Sequence, residues 1–430
     1  MNHAAPGKSS GRLTAYIGIG LVLGIAVGIV GNQFAGDAAQ AKQLASGFTI
    51  VTDIFLRLIK MIIAPLVFAT IVSGIASFGN AKAVGGIAVR ALGWFVCASL
   101  ISLSLGMLFA NLFQPGAGLA LPLPGAGAET GLAAASLNFR DFITHVFPTS
   151  VVSAMAGNEV LQILVFAIFF GFAVAALPAE LARPLITLTD AVASAMFKVT
   201  DYVMKVAPFA VFAAMAAVVT IQGPGVLLDY GKFIGSFYIG LATLWAVLLL
   251  AGRLVLGPSV WRLVGLLKEP MLLAFSTASS EAAFPKTIEK LDEYGVHERV
   301  TGFVLPLGYS FNLDGSMMYQ AFAALFIAQA FGIHMGFAEQ ASMLLVMMIA
   351  SKGIAGVPRA SLVVVAAVAP MFNLPAAGIL LIMGIDQILD MGRTLTNVLG
   401  NGLATAAVAK WQGEVDQPAT ETTAKLPRAA

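Results

Sequence analysis

Long apolar runs, broken at intervals by glycine, proline and small polar clusters, set the pattern of this chain. Six of them, at residues 13–30, 48–75, 84–113, 160–177, 185–219 and 233–256, are long enough as helices to cross a bilayer, whose roughly 30 Å core takes about 20 apolar residues. The first carries Gly20, Gly24 and Gly28 on one face, a spacing that predicts close helix packing. The second includes Arg57, Lys60 and Pro65, with the two bases placed to snorkel or to pair. The fifth has Asp190, Lys198, Asp201 and Lys205 in its first half, which predicts a face turned to water or to the interface. Residues 114–137, rich in glycine, alanine and proline, read as a loop, and 142–154, with His145 and Pro148, as an amphipathic connection.

The last third changes character. An apolar arm at 270–275 meets the polar tip Ser276, Thr277, Ala278, Ser279, Ser280 and Glu281, and a charged return arm follows. An arm too short to span, a polar tip and a return arm predict a re-entrant hairpin. A seventh span, 300–331, is interrupted at Asn312–Leu313–Asp314–Gly315–Ser316, which predicts an unwound helix with backbone groups free to coordinate. The sequence of events then repeats, with an apolar arm at 341–350, a polar Gly/Pro tip at 351–361 and a return arm at 362–371. Paired interruptions of this kind point to a transporter's binding site.

The final run, 376–409, holds Asp386, Asp390, Arg393, Asn397 and Asn401. At about 100° per residue these five occupy a stripe roughly 80° wide, with Thr394 at its edge. An ionisable group inside a membrane costs about 2.5–3.5 kcal/mol, so such a stripe faces a bundle interior or an aqueous cavity. A helix-packing network in which Asp386 or Asp390 neutralises Arg393 is the plainer reading. The surplus of a second carboxylate, two amides and a hydroxyl suits a zwitterionic ligand with an extra negative charge.

Composition agrees with a membrane protein and narrows its partners. Of 430 residues, 59% are hydrophobic and 11% charged, against about 25% charged in soluble domains. Mean hydropathy is +0.90. A net charge of +2 without a basic cluster predicts no nucleic-acid partner. The single cysteine, Cys97, rules out an intrachain disulfide framework and a thiolate metal cluster. Lys8, Arg12, Lys82, Arg90, Arg183, Arg253, Arg262 and Lys268 fall on one side of the span count, which the positive-inside rule makes cytoplasmic, together with both termini. No cleavable signal is evident, and the polar ends, 1–11 and 412–430, are expected to be a cytoplasmic tail and a disordered tail.

Four ordered motifs, SSEAAFP at the first tip, NLDGS in the seventh span, GIAGVP at the second tip and DQILDMGRTLTN in the last, make the chain resemble the glutamate transporter family of dicarboxylate/amino acid:cation symporters. The resemblance implies an all-α polytopic membrane protein with eight transmembrane helices and two re-entrant helical hairpins. It implies a homotrimer in a bacterial inner membrane, working as an elevator. Within 12–256, helices 1, 2, 4 and 5 would form the scaffold and helices 3 and 6 would move with the transport core, 257–411. Arg393 would take the substrate's side-chain carboxylate, Asp390 and Thr394 its amine, and Asn397 and Ser280 its α-carboxylate, with Ser279 and Ser316 beside them. Gly356 and Val357 would supply backbone groups of a gate. An aspartate at 390 favours aspartate or glutamate over a C4-dicarboxylate, the alternative substrate.

For coupling, Asn312 and Asp314 resemble a sodium site whose other contributors are replaced by Phe95 and Ala98, leaving Ser99. Asn401 stands where sodium-coupled relatives have an aspartate. A hard-cation site weakened by the loss of oxygen donors points to a co-transported proton. Asp314, Asp390 and Glu281 are its candidate carriers, and Asp386 and Ser310 complete the coupling set. A site of backbone carbonyls near Ser310 keeps sodium as the alternative. Gln320 replaces a glutamate linked to proton and potassium movement in vertebrate relatives, so that route is expected to be absent; Arg359 has no assigned role. No cofactor is expected. A rival class, an intramembrane aspartyl protease, leaves Arg393 unexplained, and a passive channel would not accumulate its solute.

Overall fold

The computed structural model describes residues 9–78, 81–117, 144, 146–223, 230–351, 360–375, 378–383 and 385–416. Within them the apolar runs are helices: α1 (Ser9–Phe34), α2 (Ala38–Phe78), α3 (Ala81–Phe113), α4 (Val151–Ala156), α5 (Val160–Ala176), α6 (Ala179–Met204), α7 (Ala207–Gln222) and α8 (Gly231–Leu256). There follow α9 (Val260–Thr277), α10 (Ser280–Tyr294), α11 (Glu298–Phe311), α12 (Asp314–Ala330), α13 (Phe337–Ala350), α14 (Ala360–Val368), α15 (Ile379–Met383) and α16 (Asp386–Gln412). The one β-type pairing among the described residues is an isolated bridge, Val296 to Val415.

Four stretches are long and apolar enough to cross a membrane, Ala15–Phe34, Ala38–Ala76, Gly85–Phe113 and Gly231–Thr277, and the bent pair α6–α7 makes a fifth. The chain is a nearly all-helical polytopic membrane protein. The broken and polar helices of the last third fall outside that set for a physical reason. The seventh run is split at Asn312–Leu313 into two shorter helices, and α16 carries its charges inside the run.

Three expectations are corrected. The run 185–219 is not one helix: the chain bends by 52° between α6 and α7. Pro208 in the first turn of α7 has no N–H to continue the ladder of α6, and its ring crowds the carbonyl one turn back. The final run is likewise divided, with α15 ending at Met383 and α16 starting at Asp386, so all five stripe residues lie on one 27-residue helix. At the other end, residues 412–416 are ordered where a disordered tail was expected. His297 Nδ1 lies 2.7 Å from the Glu414 carboxylate, Asp416 N–H donates to the Gly295 carbonyl at 2.8 Å, and Arg299 pairs with Glu414.

Packing follows the small residues. α1 lies along α7 through Gly24 and Gly28; a Cβ at Gly24 would sit 2.8 Å from the Met215 Cβ, so only glycine permits this approach. α2 packs on α5, α6 and α7, while α16 packs on α8, α9, α10, α11 and α12, and α3 lies against α12 and α8. The two arms α9 and α10 turn at Ala278, in the left-handed region at φ 48°, and Ser279 caps α10 by accepting the Ala282 N–H at 3.2 Å. Deeper in, Glu269 of α9 sits between Lys286 (3.5 Å) and Lys290 (3.8 Å) of α10, all three buried, so the arms are tied by an ionic as well as an apolar contact.

Candidate functional site

The stripe on α16 meets the broken helix. At the break, Asn312 and Leu313 both leave helical geometry (φ −112° and −101°), so the first N–H groups of α12 have no carbonyl one turn earlier. Asn397 of α16 answers them: its Oδ1 accepts from Gly315 N–H at 2.8 Å and Ser316 N–H at 3.3 Å, and its Nδ2 donates to Ser316 Oγ at 3.1 Å. The cap of one helix is thus supplied by another, and one Nδ2 hydrogen is left over.

Arg393 lies one turn before Asn397. Its Nε pairs with the Asp390 carboxylate, its Nη1 donates to Ser316 Oγ at 3.0 Å and its Nη2 approaches Thr394 Oγ1 at 3.4 Å. Thr394 Oγ1 in turn donates to the Asp390 carbonyl at 2.6 Å. The side chains of Arg393 and Asp390 are each 13% exposed, so the pair is reached from outside rather than sealed in the core. A guanidinium held on one edge, with hydroxyls and an amide around it and a carboxylate beside it, presents donors to a carboxylate and an acceptor to an ammonium group.

Asp386 faces elsewhere. It accepts the Tyr319 hydroxyl of α12 at 2.5 Å, so the second carboxylate of the stripe pins helices together while Asp390 takes the arginine. Tyr238 and Trp245 of α8 pin α16 in the same way, through the Ile388 carbonyl at 2.6 Å and Thr396 Oγ1 at 2.9 Å. The sequence reading missed these three aromatic groups; the available signal was a polar-tipped aromatic in an apolar run, which needs a partner once buried.

A second cluster adjoins the first. Asn312 Nδ2 donates to Asp314 Oδ2 at 3.3 Å, and both abut Gly400, where any Cβ would collide with that carboxylate. Asn401 abuts Gly308, and the Phe95 ring of α3 lies 3.4 Å from the position of a Cβ there. Ser99, Ser310, Asn312, Asp314 and Asn401 are all buried, as are Phe95 and Ala98 of α3. Among the described residues, Ser310 Oγ, Asn312 Oδ1 and Asn401 Oδ1 are buried without a hydrogen-bond partner.

The tip of the α9–α10 pair contributes separately. The Ser280 carbonyl accepts the Tyr309 hydroxyl at 2.9 Å, and Glu281 lies 3.9 Å from Lys60 of α2, a contact between helices that the sequence left open. Gly356, Val357 and Arg359 lie outside the described residues. No group of His, Cys, Asp and Glu able to hold a metal ion occurs among the described residues.

The sequence has known relatives. The model of the sodium:dicarboxylate symporter family matches residues 13–411. The chain is 40% identical over 374 residues, 85% of each chain, to the proton/glutamate-aspartate symporter of Escherichia coli. It is 36% identical over 415 residues, 95% of each chain, to the proton/sodium-glutamate symport protein of Bacillus subtilis. It is also 39% identical over 403 residues, 92% of this chain and 86% of the relative, to a C4-dicarboxylate transport protein of Pseudomonas savastanoi. With the family match covering nearly the whole chain and including every helix that builds the site, this protein belongs to the sodium:dicarboxylate symporter family.

Proposed function

We propose that this protein is a secondary symporter that brings L-aspartate or L-glutamate into a bacterial cell across the inner membrane, driven by protons. The observation that carries the substrate is the accessible Arg393–Asp390 pair with Ser316, Thr394 and Asn397 around it. An acidic amino acid brings a carboxylate for the remaining N–H groups of Arg393 and an ammonium for the second oxygen of Asp390, so each half of the ion pair gains a matched partner without giving up the other. Relatives named for glutamate and aspartate transport support this assignment.

A C4-dicarboxylate is the second reading, and the Pseudomonas relative favours it. Asp390 argues against it: beside a dianionic ligand without an amine it would share the one charge of Arg393 with the ligand's carboxylates and repel them. Asp390→Ser is expected to lower aspartate uptake about 10- to 100-fold, the worth of one charged hydrogen bond, while succinate uptake holds or rises. Competition of labelled aspartate by succinate measures it; equal losses for both would remove Asp390 from substrate selection.

The coupling ion follows from the second cluster. Phe95 and Ala98, buried apolar groups at positions where the resemblance expects oxygen donors, support the proton. The buried oxygens of Ser310, Asn312 and Asn401 without partners favour sodium, the alternative. Accumulation of radiolabelled L-aspartate in proteoliposomes separates them. An inward proton gradient without sodium is expected to drive it; uptake only under a sodium gradient at equal pH would overturn the proton.

The architecture belongs to the same proposal. Eight spans and two re-entrant hairpins account for the helices if α6–α7 and α11–α12 are one span each, α9–α10 the first hairpin and α13–α14 the second. The packing of α1, α2, α5, α6 and α7 on one another, and of α3, α8, α9, α10, α11, α12 and α16 on one another, supports the division into a scaffold and a moving core; the homotrimer rests on the family resemblance alone. Both termini are assigned to the cytoplasm by the basic residues at the helix ends.

A further inference from the structure

A cavity of about 1290 Å³ opens between the first half of α1, the α6–α7 bend and α10, on helices other than the α12 and α16 that hold the Arg393 cluster. Its long wall is apolar: Ile19 and Leu23 on α1, and Phe209 and Phe212 on α7. Ile19, Leu23 and Phe209 are more than half exposed. Its rim is charged, with Lys198 and Asp201 from α6, Lys205 just beyond the end of that helix and Glu289 from α10, while Lys286 of α10 lines it from a buried position.

The cations are not equally satisfied. Lys198 lies 3.6 Å from Asp201 and Lys286 lies 2.7 Å from Glu289. Lys205 has no ion pair among the described residues; its ammonium stands 5.4 Å above the Tyr202 ring, which holds it at the mouth without neutralising it. The crevice therefore presents an unmatched positive charge above an apolar slot, in a protein whose surroundings are lipid. A glycerophospholipid carries a single negative charge on its phosphodiester and two acyl chains on its glycerol, the complement of both features.

We propose that this crevice binds one anionic glycerophospholipid, with its phosphodiester on Lys205 and an acyl chain laid between α1 and α7. A lipid whose headgroup brings its own amine gains less here, because that amine competes with Lys205 for the phosphate. The site goes beyond the transport reading and does not depend on it.

Native mass spectrometry of the delipidated protein tests the site without any transport assay. The probes are phosphatidylglycerol and phosphatidylethanolamine with the same acyl chains, and glycerol 3-phosphate. Phosphatidylglycerol is expected to bind more tightly than phosphatidylethanolamine, with glycerol 3-phosphate a poor competitor. Lys205→Gln is expected to weaken phosphatidylglycerol about fivefold, as one lysine near an anionic headgroup does, with Lys205→Arg restoring it. Lys205 is exposed, so neither change threatens the fold. Equal binding of the two lipids, or no effect of Lys205→Gln, would overturn the assignment. Competition by glycerol 3-phosphate as strong as by the lipid would remove the acyl slot from it.

Discussion

Arg393→Ala is expected to reduce kcat/KM for L-aspartate uptake by at least about 100-fold, from two losses that act together. The guanidinium is held by Asp390 through Nε and by Ser316 through Nη1, so its remaining N–H groups are fixed in direction before a ligand arrives. A carboxylate meeting that fork forms charge-assisted bonds worth about 1.5–3 kcal/mol each. Removing the fork also leaves the Asp390 carboxylate, now without its partner, beside the incoming acidic side chain, where the two negative charges repel. Lysine recovers little, since a point charge cannot hold Asp390, Ser316 and a substrate carboxylate at once. Initial rates of labelled aspartate uptake in proteoliposomes measure the effect, with gel filtration and circular dichroism to establish that the variants fold. Uptake within threefold of wild type would sink the role of Arg393 as the carboxylate receptor.

The sequence carried the positions of the site further than its contacts. The stripe on α16, the break after Phe311 and the turn at Ala278 were legible because polar groups in apolar runs have few tolerated places. Which neighbour answers each group was not. Asp386 and Asp390 occupy the same stripe, yet one meets Tyr319 and the other Arg393, a division set by the approach of α12 from a sequence distance of 67 residues. Asn397 looked like a ligand group and also proves to cap α12, because the N–H groups it serves become orphans only when the helix breaks in three dimensions. The bend at Pro208 was readable from proline alone, but the length of the run 185–219, with helix-forming residues on both sides of the proline, masked it. Lys60 illustrates the limit: a base near a helix end snorkels or pairs, and only the fold brings Glu281 to it.

Gly315→Ala is expected to destabilise the protein by about 3 kcal/mol and to lower uptake at least tenfold, although it adds one methyl group far smaller than the site. The reason is how closely α12 begins against α16. A Cβ at Gly315 would lie 2.9 Å from the Arg393 carbonyl carbon and 3.0 Å from its Cα, with the carbonyl oxygen nearer still. All three are backbone atoms of a helix and cannot rotate aside, so α12 has to withdraw; overpacking of this kind costs about 1–3 kcal/mol. Withdrawal also pulls Gly315 and Ser316 N–H from Asn397 Oδ1, and losing a helix cap costs about 1 kcal/mol more. Ser316 Oγ, which holds both Arg393 and Asn397, moves with the helix, so the substrate groups lose their alignment before the fold is lost. Gly93→Ala in α3 is the control: nothing lies within 4 Å of its Cβ position, and in a helix interior alanine is favoured over glycine by about 1 kcal/mol. Thermal unfolding in detergent and aspartate uptake, measured on both variants, decide the matter. A Gly315→Ala protein as stable and as active as Gly93→Ala would mean that the contact between the start of α12 and the Arg393 backbone does not hold the site together.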